Sequence, residues 1–197
     1  VNLEKAEAIK KNLIKQEEKT LLQIKKDTGV DVEVWSAVSV AKAFDKFNIP
    51  YEKTEKNKQP KFDKNFLVTH KHPLAKMIVH ARETNKARAT FIDTIFRHAV
   101  NDRIHAHMHQ MRSESGLAGT ATGRFSYSNP NLQQVPARNK EIGPLIRSVF
   151  VPNEGCKWGS FDYSQQEPRV LVHFAALTGG GLKGADEVIE SYKTKDP

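Results

Sequence analysis

Ser160-Phe161-Asp162-Tyr163-Ser164-Gln165-Gln166-Glu167-Pro168-Arg169 decides how this chain is read. Cys156 to Tyr163, with Trp158 and Phe161, reads as a strand that ends on the carboxylate of Asp162. Ser164 and Glu167 have the spacing of a capping box, so a helix is predicted to open there. Pro168 fits that helix only in its first turn, where a missing N–H breaks no hydrogen bond. Val170, Leu171, Phe174 and Ala175 would form its buried face. Glu167 therefore has a structural explanation as the acid of the box. Asp162 has a weaker one, since an aspartate at a strand end often just forms a turn. Arg169 is placed to pair with either acid. Asp186 and Glu187 lie in a later polar segment where another helix can start, and no role attaches to them. Two acids at a strand-to-helix junction, with a basic segment upstream, suit a metal-bound triphosphate beside a nucleic-acid backbone.

That upstream segment, residues 116–131, reads GLAGTATGRFSYSNPN. It has too few apolar residues for a core element, and its small residues let a backbone approach a ligand. Arg124 sits in its middle and offers several donors in a fixed fork. Asn129-Pro130 marks a turn. Asn131, Gln133 and Gln134 add amides that suit base edges and sugars. Composition alone leaves an ordinary exposed loop equally open. Farther on, Ile142 to Pro152 holds Arg147 ahead of the apolar Val149, Phe150 and Val151.

The 197 residues are enough to bury a core in one or two domains. The net charge is +8 and the pI about 9.5, which favours a polyanionic partner. One cysteine, Cys156, excludes an internal disulfide and a cysteine zinc cluster, and is compatible with a reducing cytoplasm. No apolar run approaches the length of a membrane span, and no signal peptide is visible. The first residue is Val1, so the N-terminus is read as a cut end.

Toward the N-terminus, Leu3, Ala6, Ile9, Leu13, Leu21 and Ile24 recur at helical spacing and predict a long amphipathic helix to Thr28, stopped by Gly29. Its lysines read as a solvated face. Val30 to Val34 is expected to be extended. Ser39 to Phe47 is expected as a short helix with Val40, Ala43, Phe44 and Phe47 inward. Ile49 to Lys64, rich in lysine and broken by Pro50 and Pro60, reads as an exposed loop. Pro73 opens another helix that runs to about Val100, with Ile78, Ala81, Ala89, Ile92, Ile95 and Phe96 available for packing. Arg82, Lys86 and Arg88 are its basic cluster, either plain surface charge or phosphate contacts. Ile104, Ala106 and Met108 then alternate with His105, His107 and His109, as on a strand. A polar sheet face beside nucleic acid fits those histidines better than a metal site, because no acid or cysteine accompanies them.

Thr122-Gly123-Arg124-Phe125-Ser126, Asn129-Pro130-Asn131-Leu132-Gln133 and Pro136 resemble the T-G-R-L-S…P-N-L-Q…P segment of family A DNA polymerases. Asp162 to Arg169 resembles that family's motif A, D-Y-S-Q-I-E-L-R. The two motifs stand in the family's order and at its separation. His72-Pro73-Leu74-Ala75, Arg82, Lys86 and Thr90-Phe91-Ile92-Asp93 look like the second long thumb helix, and His105 like a histidine at the start of the palm. Phe125, Gln166 and Pro168 depart from the pattern. The Q-E-P-R form resembles the phage-type members of this bacterial DNA polymerase I-like family more than the bacterial repair enzymes.

The resemblance implies the roles. Asp162 would bind two catalytic Mg2+ ions, with the Tyr163 carbonyl as a further ligand. Ser164, Gln165 and Glu167 would contact the incoming deoxynucleoside triphosphate. Glu167 would lie against its sugar and exclude a 2′-hydroxyl. Arg124 would reach the minor groove at the primer terminus. Thr122, Asn131, Gln133 and Arg169 would contact DNA nearby, and Arg82, Lys86 and Arg88 would hold the duplex backbone of the primer–template. The implied fold is α+β, with a helical thumb over residues 1–100. A partial antiparallel palm sheet with helices on one face would follow over 101–197, leaving an edge and apolar surface that favour self-association. The family's fingers helix and its H-D-E motif do not occur in these residues. The chain is therefore expected to be a polymerase fragment that binds primer–template weakly and does not extend it. The alternatives are one chain of a split enzyme, partnered by a second polypeptide that supplies fingers and the remaining palm, or a non-catalytic DNA-binding module. A bacterial or phage-infected host cytoplasm is the expected location, with no membrane partner.

Overall fold

The computed structural model describes residues 1–116, 118–137, 139–177 and 183–194. They form an α+β fold in two compact units, residues 1–153 and 154–197. The first helix, α1 (Leu3–Thr28), starts where Asn2 accepts the Lys5 N–H and stops where Gly29 turns left-handed at φ 71°. Val30 to Val34 is not a strand, because Val32 and Val34 are buried one by one in the core instead of pairing. Ser36 caps α2 (Ala37–Lys46) through the Ser39 N–H. Val40, Ala43 and Phe44 point inward as expected, but Phe47 caps the end of the helix and is exposed rather than buried.

The lysine-rich segment is more ordered than an exposed loop. It forms an antiparallel ribbon of β1 (Glu52–Lys53) and β2 (Pro60–Lys61). Its apolar residues Ile49, Tyr51 and Phe62 anchor it to the core, and Phe62 packs tilted against Phe44 with ring centres 4.8 Å apart. A helix that the sequence reading did not separate, α3 (Lys64–Thr69), follows; Asp63 caps it by accepting the Phe66 N–H at 2.8 Å. Helix α4 (Pro73–Lys86) has proline at its first position and runs into a π-helical stretch, Ala87–Ile92, and then α5 (Asp93–His98). That path matches the long helix expected from Leu74.

Two apolar clusters fill the first unit, and α1 serves both. Ile24 joins Val40, Phe44, Leu67, Leu74 and Ile78 in one. Ala6, Ile9 and Leu13 join Ile92, Ile95, Ile146 and Val149 in the other. Helix α6 (Ile142–Arg147) supplies Ile146 to that cluster, so residues beyond 100 complete a core built mainly by the N-terminal helices. The sheet is small. β3 (Ala99–Val100) pairs with β4 (Arg103–Ile104), and β5 (His107–His109) with β6 (Ser126–Ser128), both antiparallel.

In the second unit the strand expected over Cys156 to Tyr163 is absent: no described strand pairs with the segment, and a lone strand leaves its backbone groups without a ladder. Helix α7 (Gln166–Leu177) begins one residue later than the capping box requires. Gln165, at φ 52°, stands directly before it, so Glu167 is its second residue and Pro168 lies in the first turn. Its apolar face is open rather than buried: Leu171 and Phe174 are 71% and 61% exposed. The polar segment at Asp186 and Glu187 does start a helix, α8 (Ala185–Thr194).

Candidate functional site

In the first unit the glycine-rich segment is fixed by local hydrogen bonds. Gly119 has φ 80°, and a Cβ there would lie 2.2 Å from the Met111 carbonyl oxygen, so only glycine fits. Thr120 Oγ1 donates to the Arg124 carbonyl at 2.6 Å, and Thr122 Oγ1 donates to Thr120 Oγ1 at 3.4 Å. Gln133 Nε2 donates to the Phe125 carbonyl at 3.0 Å, while Asn131 Oδ1 accepts the Gln133 N–H at 3.1 Å. Asn131 and Gln133 thus brace the loop that carries Arg124, and the Arg124 side chain is exposed. The turn at Asn129-Pro130 has a cis peptide bond. Behind it, His109 Nε2 lies 2.7 Å from Ser128 Oγ across the β5–β6 ladder. His105 and His107 are exposed.

The basic cluster of α4 and the π-helical stretch after it plays more than one part. Arg82 donates from Nε to the Val34 carbonyl at 2.7 Å and from Nη1 to the Phe62 carbonyl at 2.8 Å. It ties the segment after α1 and the β1–β2 ribbon to α4. Burial lowers its pKa, yet an arginine keeps its charge at any working pH. Arg88 meets Asp93 at 3.3 Å and Glu17 at 3.6 Å. Lys86 is exposed and lines a cavity of about 460 Å³, which Arg82 also borders.

In the second unit Asp162 and Tyr163 lie on exposed backbone before α7, and the Tyr163 side chain is 80% exposed. Ser164 and Gln165 form the turn into the helix. Arg169 Nε donates to the Ser164 carbonyl at 2.9 Å, and its guanidinium lies 4.5 Å from the centre of the Tyr192 ring. The Tyr192 hydroxyl donates to Gln165 Oε1 at 3.1 Å. Arg169 and Tyr192 therefore fasten the turn that follows Asp162 to α8. The sequence reading missed Tyr192; its signal was an aromatic one turn after Val188 in α8. It also passed over Trp35, whose Nε1 donates to Asn85 Oδ1 at 2.9 Å and whose ring lies 5.4 Å from the Arg82 guanidinium carbon.

A divalent ion fits Asp162 in kind. The carboxylate and the adjoining Tyr163 carbonyl are hard oxygen donors on exposed backbone, and Mg2+ retains water in its remaining positions. Among the described residues no group of three or more histidine, cysteine or acidic side chains gathers there or elsewhere, so a two-ion site is incomplete within them. Among the described residues, no helix is long and apolar enough to cross a membrane.

Residues 3–179 match the model of the family described as DNA polymerase family A. The chain is 37% identical over 185 residues to a DNA-directed DNA polymerase of Pseudomonas phage M6, which covers 90% of this chain and 28% of that protein. It is 38% identical over 104 residues to the thermostable DNA polymerase I of Thermus aquaticus, covering 53% of this chain and 12% of that one. Its fold is similar to the POL domain of Pol1 from M. smegmatis, solved in complex with DNA primer–template and dNTP. The TM-score is 0.71 at 26% identity, covering 89% of this chain and 30% of that one. The chain thus spans less than a third of the length of the phage relative.

Proposed function

The chain belongs to DNA polymerase family A, and from that membership we propose that it forms the thumb and the N-terminal palm of an enzyme for template-directed DNA synthesis. The observation that carries this reading is the span of the family match, residues 3–179, which takes in both the glycine-rich segment and Asp162 to Arg169 in one order. Residues 1–100 are the thumb and 101–197 the palm portion. Primer–template DNA and deoxynucleoside triphosphates are the partners.

Asp162 and the Tyr163 carbonyl would hold Mg2+, which would supply charge stabilisation for phosphoryl transfer. Ser164 and Gln165 shape the turn beneath the triphosphate, and Arg169 steadies that turn through the Ser164 carbonyl. Glu167, exposed in the first turn of α7, excludes a 2′-hydroxyl from the nucleotide sugar. Arg124, held out on a braced loop with Thr122, reads minor-groove acceptors shared by all correct pairs. Asn131 and Gln133 support it. On the thumb Lys86 is the exposed phosphate contact, and Arg82 and Arg88 add charge while they hold the helix to its neighbours. On this reading the 197 residues alone bind primer–template without extending it; extension by the pure chain that is lost in Asp162→Ala would contradict this. A separate polypeptide supplying the rest is the second arrangement compatible with this chemistry.

The test is primer extension by the polymerase that carries this chain. The wild type should add deoxynucleotides, and Glu167→Ala should also admit ribonucleotides. Absence of extension would overturn the enzymatic reading. An unchanged sugar preference would reduce Glu167 to a helix-start residue.

A further inference from the structure

The cavity beside α4 combines features that duplex-backbone contacts do not require. Its volume is about 460 Å³, within the usual range of small-molecule sites. Phe91 and Gln134 form part of its lining, and Lys64, Arg82 and Lys86 outweigh Glu83 in charge around it. Trp35 stands at this cavity 56% exposed, with its Nε1 tied to Asn85 and the Arg82 guanidinium over its ring. Both contacts fix the plane of an indole that burial does not hold. An exposed aromatic of fixed orientation among cations suits an unpaired base, which offers a free π-face; bases inside a duplex are already stacked on each other. Phosphate charge is met by the cations, and the apolar lining residues Leu67, Val79, Phe91 and Ile142 pack against the base.

We propose that this cavity binds one unpaired nucleotide of a DNA strand, with its base stacked on Trp35 and its phosphate toward Lys64 and Lys86. The site gives the chain a contact to single-stranded DNA distinct from Asp162 and from Arg124. It rests on the reading of the chain as a polymerase portion and deepens it.

The chain has two tryptophans, Trp35 and Trp158, so Trp158→Phe leaves Trp35 as the only indole reporter. In the full 197-residue chain carrying that change, a short oligothymidylate should quench the Trp35 emission. An abasic strand of equal length should bind more weakly and leave the emission unchanged. In the wild-type background, Trp35→Ala should weaken oligothymidylate binding about tenfold, the loss expected of one stacked base, whereas Trp35→Phe should retain most of the affinity. Circular dichroism of each variant separates lost binding from lost structure. Emission unchanged at saturating oligonucleotide, or a folded Trp35→Ala chain that binds as the wild type does, would overturn the proposal. Primer extension by the complete polymerase is read separately. If extension occurs and Trp35 does not respond, only this site fails; if extension also fails, the functional reading fails with it.

Discussion

The two units treat their apolar residues in opposite ways. Residues 1–153 enclose them: Phe44, Leu13, Ile24, Leu74 and Ile78 are almost fully buried, and one long helix seals both clusters. In residues 154–197 the only buried residue among those described is Ala185, while Trp158, Phe161, Leu171 and Phe174 are exposed. The residues proposed to meet the nucleotide, Asp162 to Glu167, lie in this open unit. The residues proposed to grip DNA, Arg124 and Lys86, lie on the closed one. Helical spacing makes an apolar stripe, but a stripe becomes a core only when another element covers it. The contrast separates a unit with two enclosed apolar clusters from one in which α7 and α8 pack together with most described side chains exposed and Arg169 tied to the Ser164 carbonyl.

The sharpest way to test that contrast is to remove one ring from each unit. Phe44 is fully buried and touches the rings of Tyr51, Phe62, Phe66 and His70. Phe44→Ala should cost about 3–5 kcal/mol in denaturant unfolding. Phe174→Ala, at a site 61% exposed, should stay within about 0.5 kcal/mol. Comparable losses at the two positions would show that α7 is covered in solution.

A smaller effect is expected at Arg82, where two charged donors meet the Val34 and Phe62 carbonyls. Arg82→Met keeps the stem but leaves both carbonyls without these donors, and should destabilise the first unit by about 2 kcal/mol. A loss of DNA affinity with unchanged stability would instead make Arg82 chiefly a phosphate contact.

The smallest effect is a pH dependence at Asp63. The Phe66 N–H, and then Lys61, hold its carboxyl below the ordinary value of 3.8. The folded pKa is thus the lower one, so the carboxylate's contribution is fully present above 3.8 and is lost as pH falls through the folded value. Asp63→Asn retains a capping oxygen without the charge. The difference in Tm between wild type and this variant should be constant above about pH 5 and shrink in more acid solution. A difference that ignores pH would remove the charge from the α3 cap.

Much of the first unit could be read from spacing alone. The period of Ala6, Ile9, Leu13 and Ile24, the stop at Gly29 and the start at Pro73 specified helices that the fold contains. What spacing missed were isolated anchors. Ile49, Tyr51 and Phe62 sit in a segment whose lysines suggest a solvated loop, and a few aromatics without periodicity give no sign that they converge on Phe44. Trp35 was hidden in the same way, since its meaning comes from Arg82, which lies far along the chain. At the candidate site the reverse held. Asp162, Glu167 and Arg124 were recognisable as motifs, but the strand and buried helix face expected around Asp162 depend on neighbours that spacing cannot supply. The braces of the Arg124 loop, from Gln133 and Thr120, became visible only with the backbone in place.

The most direct measurement is single-turnover primer extension by the Asp162→Ala form of the polymerase that carries this chain, with its primer–template affinity measured alongside. Asp162 is exposed, so the substitution should leave folding intact. The expected result is extension slowed by about three orders of magnitude or more, as loss of several kcal/mol of metal-borne transition-state stabilisation requires, with DNA affinity nearly unchanged. Extension at the wild-type rate would contradict the assignment of Asp162 as the metal carboxylate, and with it the reading of the open unit as the catalytic face.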